Sequence, residues 1–121
     1  MINDIGKFEG KTSEIEYPID SLRLDVVWKR IPTGIPSYAF EVQVGGNFFE
    51  ALTKLKHSWD KWNSIPVLVT TKKYESAAKS LLEGSFHEIK HVTRIVNWLK
   101  IVELHETEKR AAHIKKEINL M

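Results

Sequence analysis

The chain is 121 residues long, the size of one domain, with a formal net charge of +2 and 28% charged residues. It has no cysteine, which excludes a disulfide framework, a cysteine zinc site and a thiol nucleophile, and fits a reducing, cytoplasmic setting. No apolar run approaches the roughly 20 residues of a membrane span, residues 1–10 lack the apolar centre of a signal peptide, and so small a positive charge does not by itself announce nucleic acid.

Residues 1–10 predict at most a short helix, since their apolar positions are few. Residues 14–19, Glu-Ile-Glu-Tyr-Pro-Ile, predict a short edge strand, because Pro18 has no N–H to donate to a ladder. Residues 22–28 alternate cleanly, with Leu22, Leu24, Val26 and Trp28 on one face and Arg23, Asp25 and Val27 on the other. Residues 38–44 repeat the pattern: Tyr38, Phe40, Val42 and Val44 share a face, as do Ala39, Glu41 and Gln43. Lys29 to Ser37, with Pro32, Gly34 and Pro36, predicts the loop of a hairpin.

Gly45-Gly46 ends the second strand, and Asn47 with Glu50 three residues on has the form of a capping box. The helix that follows carries Phe48, Ala51, Leu52, Leu55, Trp59 and Trp62 at helical spacing and stops near Asn63 to Pro66. Residues 67–71 form a short apolar run that predicts a strand buried on both faces. Strand, helix and buried strand make a βαβ unit with a right-handed crossover. A second helix is expected over 74–83, ending at Gly84, and β-branched residues 92–96 predict another strand. From Trp98 onward a long charged helix carries Ile101, Leu104, Ala111, Ile114 and Ile118. The four tryptophans lie on apolar faces and read as core, Trp98 least so. The sum is one α/β domain over residues 1–121, a mixed sheet with an antiparallel hairpin, flanked by helices.

The chemistry lies on the polar face of the hairpin. A loop centred near Thr33 sets Trp28 opposite Tyr38, Arg23 opposite Gln43 and Asp25 opposite Glu41. Two carboxylates about 5 Å apart repel by roughly 3 kcal/mol at an effective dielectric near 20. Either they are solvated on an exposed face, or a divalent cation joins them. Asp25, Glu41 and the backbone carbonyl of Val42 offer the hard oxygen ligands that suit Mg²⁺ or Mn²⁺.

These residues resemble the core of the PD-(D/E)XK, or restriction-endonuclease-like, nuclease superfamily. The resemblance covers about residues 14–71: Asp25 within Arg-Leu-Asp-Val-Val-Trp, then Phe-Glu-Val-Gln-Val, two glycines, a helix and a buried strand. It implies a restriction-endonuclease-like fold and hydrolysis of DNA phosphodiesters with Mg²⁺ or Mn²⁺. Asp25 and Glu41 would then be the acidic metal ligands. Gln43 stands where the family usually has lysine, although some active members carry glutamine there. Glutamine can orient water or phosphate but brings no positive charge. Lys54, on a helix stripe with Asn47 and Glu50, is the candidate replacement ammonium, unless it simply pairs with Glu50 four residues back. Lys29, Arg30, Lys72 and Lys73 are the candidate contacts to the nucleic-acid backbone. Duplex-cutting members commonly dimerise, which implies a homodimer, with the helix over 98–121 as a candidate interface.

Two other readings compete. A catalytically inactive nuclease-fold domain could bind nucleic acid or protein, and Gln43 favours that. Separately, His87-Glu88-Ile89-Lys90-His91 matches the zinc-peptidase pattern H-E-x-x-H, which needs both histidines one turn apart on an α-helix. The β-branched residues just after it argue against that helix.

Overall fold

The structure, a computed structural model, describes residues 1–120. A short helix α1 (Ile2–Phe8) precedes three strands, β1 (Thr12–Ile19), β2 (Leu22–Lys29) and β3 (Pro36–Val42). Helix α2 (Phe48–Trp62), strand β4 (Ile65–Thr70), helix α3 (Glu75–Glu83), strand β5 (Arg94–Asn97) and helix α4 (Trp98–Glu117) follow. The strands form one mixed sheet in the order β1-β2-β3-β4-β5. β1, β2 and β3 are an antiparallel meander, while β3, β4 and β5 run parallel through the α2 and α3 crossovers. The protein is α/β, as the alternation of elements predicts. β1 is the edge strand where Pro18 is tolerated.

Each face of the sheet carries its own core. On one face α2 and α3 cover Leu24, Val27, Ala39 and Leu68, with Leu52 and Leu55 of α2 fully buried against them. On the other, Ile2 and Ile5 of α1 and Ile101 of α4 cover Val26, Trp28, Phe40, Val67 and Val69. β4 feeds both cores, which is why its residues Pro66 to Thr70 are all buried. Each such aliphatic side chain, fully removed from water, stabilises the fold by about 1.5–3 kcal/mol. Among the described residues no helix is long and apolar enough to cross a membrane.

The hairpin register is the one that a loop centred on Thr33 requires: Val26 faces Phe40, Val27 faces Ala39 and Trp28 faces Tyr38. The expected alternation of β2 fails at one place. Leu22 and Leu24 pack with Val27 on the α2 side, whereas Val26 and Trp28 pack on the α1 side. The faces therefore exchange at Asp25. Across from it, Glu16 of β1 takes a left-handed conformation at φ 48° and drops out of the ladder. An even alternation cannot survive such a break, since side chains change face at every residue.

Other boundaries are corrected by tertiary contacts. β3 stops at Val42, where its last pair is Val69 of β4, and leaves Val44 exposed in the turn. Asn47 does precede α2, but its side chain makes no cap bond to the helix backbone and instead donates to Glu50 Oε2 at 3.3 Å. The final helix buries Ile101 and leaves Leu104, Ile114 and Ile118 40–57% exposed. It packs at its first turns and projects beyond the sheet.

Helix α1 reaches Trp28 through Gly6. A Cβ at this position would stand 2.5 Å from Trp28 Nε1 and 2.7 Å from Cδ1, atoms held in place by the indole bond to the carbonyl of Ile2. Gly6→Ala should therefore destabilise the protein by about 1–3 kcal/mol through overpacking, read as a lower urea midpoint. An unchanged midpoint would show that α1 moves freely against the sheet.

Candidate active site

β3 has an antiparallel partner on one edge and a parallel partner on the other. The regular ladder with β2 ends at Val26 and Phe40, while β3 continues beside β4 as far as Val42. In the gap that opens between β2 and β3, side chains replace backbone acceptors. The N–H of Asp25 donates to Glu41 Oε2 at 2.7 Å, and the N–H of Val42 donates to Asp25 Oδ2 at 2.8 Å. Asp25 and Glu41 are thus brought together as the register predicts. Hydrogen bonds of an amide to an ionised carboxylate are each worth about 1.5–3 kcal/mol.

The third group comes from α2. Lys54 Nζ stands 2.6 Å from Glu41 Oε1 and donates to the carbonyl of Arg23 at 3.1 Å. Of the two expectations for Lys54, the structure realises the reach toward the acids; Glu50 meets Asn47 instead. The face that Glu41 shares with Ala39 is the α2 side of the sheet, and Lys54 follows Ala51 by one helical turn and directly precedes Leu55, at the margin of the buried stripe. That places its ammonium over the strand edge. Carboxylate repulsion across the hairpin is therefore answered by two amides and an ammonium, and the pair does not depend on a cation to be tolerated.

Glu41 is only 3% exposed. Its burial pushes its pKa up from 4.5 to about 7, with the Asp25 charge adding to the rise, and the bonds from Lys54 and the Asp25 amide only partly offset this. Lys54 is held above its ordinary value: burial opposes its charge, but Glu41 and Asp25 outweigh it.

Two carboxylates from adjacent strands facing one gap are a donor set that fits Mg²⁺ or Mn²⁺. Val42 points its N–H at Asp25, and an extended residue's N–H and C=O leave the same edge of a strand, so its carbonyl faces that gap too. Among the described residues no three His, Cys, Asp or Glu side chains converge. Backbone or water oxygens would complete the shell.

The remaining candidates divide. Gln43 lies just past β3; its N–H donates to Val69 O and its Oε1 accepts from the N–H of Gly45, so the side chain's oxygen is tied to its own turn. Lys72 and Lys73 are exposed on a 3₁₀ turn just beyond β4. This is the same end of the sheet as Val42, given that Val42 pairs with Val69. Lys29 and Arg30 are at the opposite end. Lys29 is buried, paired with Glu14 and stacked over the Tyr17 ring, which raises its pKa and leaves it no free charge for a phosphate. Arg30 is exposed. His87 to Ile89 form a 3₁₀ turn with both His87 and His91 exposed, and not the α-helix that a zinc-peptidase pair needs.

Sequence reasoning missed the amides of Asp25 and Val42, which no side-chain pattern announces, and the carbonyl of Arg23 that anchors Lys54. It also missed the hydroxyl of Thr70, fully buried without a hydrogen-bond partner at the end of β4. The chain matches no protein-family model, no curated protein and no solved structure.

The site makes stability depend on pH. Unfolded, Glu41 loses its proton near 4.5; folded, it keeps the proton to about 7. Its contribution is full below 4.5 and is lost as pH rises through 7, a swing of about 3 kcal/mol. Glu41→Gln should flatten this part of the urea-unfolding profile, and a profile no flatter than wild type would place the titration elsewhere. Lys54→Met should cost about 2–3 kcal/mol at pH 8, where it strands a buried carboxylate, and under about 1 kcal/mol at pH 5. An equal loss at both pH values would mean that only packing was removed.

Proposed function

We propose that the protein is a metal-dependent nuclease of the PD-(D/E)XK type that hydrolyses DNA phosphodiesters. The observation that carries the reading is the meeting of Asp25, Glu41 and Lys54 in the gap between β2 and β3. The order of elements supports it as well: hairpin, acidic pair, helix and parallel strand follow one another as in the resemblance drawn from residues 14–71. Mg²⁺ or Mn²⁺ held by Asp25, Glu41 and the Val42 carbonyl would supply Lewis-acid activation of water and charge neutralisation at the phosphate.

The chain's own groups divide the remaining work. Lys54 sets a positive charge beside Glu41, where it can stabilise negative charge developing on a phosphorane, the role that the neutral Gln43 cannot fill. Gln43 keeps an amide NH₂ to orient water or phosphate by hydrogen bonding. Lys72 and Lys73, at the same end of the sheet, hold the phosphate backbone and fix its register without reading sequence.

A second reading has two observations in its favour. Lys54 is already closed onto Glu41 and the oxygen of Gln43 onto Gly45, an arrangement that also suits a silent nuclease-fold domain that binds nucleic acid. Cleavage of plasmid and branched DNA with Mn²⁺ separates the two. Wild type should cut, Glu41→Ala should lose activity by at least about 10²-fold, and Lys54→Ala should reduce turnover more than substrate affinity. DNA binding without cleavage by any of them would support the silent domain and end the enzyme reading.

A further inference from the structure

At the end of the sheet away from the carboxylates, an open groove of about 790 Å³ runs between the hairpin loop and the last turn of α2. Its wall carries two aromatic rings, those of Trp59 and Trp62 of α2, and the start of β3 from Pro36 to Tyr38. Both indoles are held from behind: Trp62 edge-on to Tyr17, and Trp59 against the α2-side core. Its rim carries Lys11 and Arg30, and no aspartate or glutamate lines it. Ile31 and Ile35 of the loop stand beside the groove 58% and 60% exposed.

We propose that this groove binds a single-stranded stretch of nucleic acid, with bases against Trp59 and Trp62 and phosphates against Lys11 and Arg30. The charge of the groove selects the occupant. An apolar peptide would leave both cations without a partner, whereas a strand of bases and phosphates supplies flat apolar faces and negative charge at alternating positions. Rings locked in place lose little conformational freedom when a base stacks on them, and stacking tolerates any sequence because every base has a π-face. Arg30 is thus a phosphate contact of this groove and not of the carboxylate site, which the sheet separates from it. The inference rests on the nucleic-acid part of the proposed function and not on cleavage.

The test uses a fluorescein-labelled thymidine oligonucleotide of about 15 nucleotides and the full chain, in EDTA, so that binding is read without metal. Lys11→Ala and Arg30→Ala change exposed or half-exposed side chains. Each should weaken binding by about three- to tenfold and lower the slope of log affinity against log salt by about 0.7. Lys115→Ala with Lys116→Ala, exposed cations in the last turn of α4, should leave single-strand affinity unchanged. Tryptophan emission should be quenched on binding, and Trp59→Phe with Trp62→Phe, which keep a ring in each place, should remove most of the quench. Trp28→Phe and Trp98→Phe should retain it.

Three results would overturn the proposal: a salt slope unaltered by both cation variants, a quench that follows Trp28 or Trp98, or displacement of the oligonucleotide by an acidic aromatic peptide at lower concentration than by unlabelled DNA. Wild type that binds in the groove but cleaves no DNA counts against the catalytic reading alone, and cleavage without groove binding counts against this inference alone.

Discussion

Everything at the centre of this molecule follows from a parting of strands. β3 is committed on one edge to an antiparallel partner that ends at Val26 and on the other to a parallel partner that continues to Val69. Two backbone N–H groups, those of Asp25 and Val42, would be left without acceptors in a half-buried gap. An unpaired buried amide is among the more expensive faults a fold can carry. The carboxylates of Glu41 and Asp25 cross over to accept them, each serving the other's strand. The acidic pair is therefore structural at the same time as it is chemically disposed toward a cation.

That double duty explains the electrostatics. A carboxylate 3% exposed is unfavourable when charged, and its environment meets the charge with an amide and one ammonium instead of water. The balance falls near neutrality, with Glu41 titrating at about 7. A group poised there is readily ionised by an added positive charge, and this is how functional sites depart from the preferences of an ordinary core. A site that stabilised Glu41 fully as an ion pair would leave less to gain from any ligand.

The sheet also divides the surface. The carboxyl ends of β3 and β4 gather the acids, Gln43 and the lysines of the following turn; in open α/β sheets this is where ligands are expected, outside the carboxyl ends of parallel strands. The other end gathers aromatic rings and unpaired cations around the hairpin loop. Lys29 and Arg30 are adjacent in the chain and differ completely in role, because the side chain of Lys29 turns under the edge strand to Glu14 and Tyr17 while Arg30 leaves it.

Local sequence determined a great deal. Period-two alternation with a proline- and glycine-rich loop was enough for the hairpin and its register, and hence for Asp25 beside Glu41. Helical spacing from Phe48 to Trp62, followed by an unbroken apolar run, was enough for the crossover and the buried strand. These are properties of short windows, in which burial pattern and backbone period coincide. Three features were decided only by tertiary structure. The exchange of faces at Asp25 depends on Glu16, nine residues away, adopting a left-handed conformation. Lys54 had a partner at i−4 available in Glu50, and its choice of Glu41 was set by how α2 packs across the sheet. Lys29 became a buried ion-paired residue because β1 closed over it. In each case the competing options were equal within the local chain, and the outcome turned on burial and long-range pairing, which no short window contains.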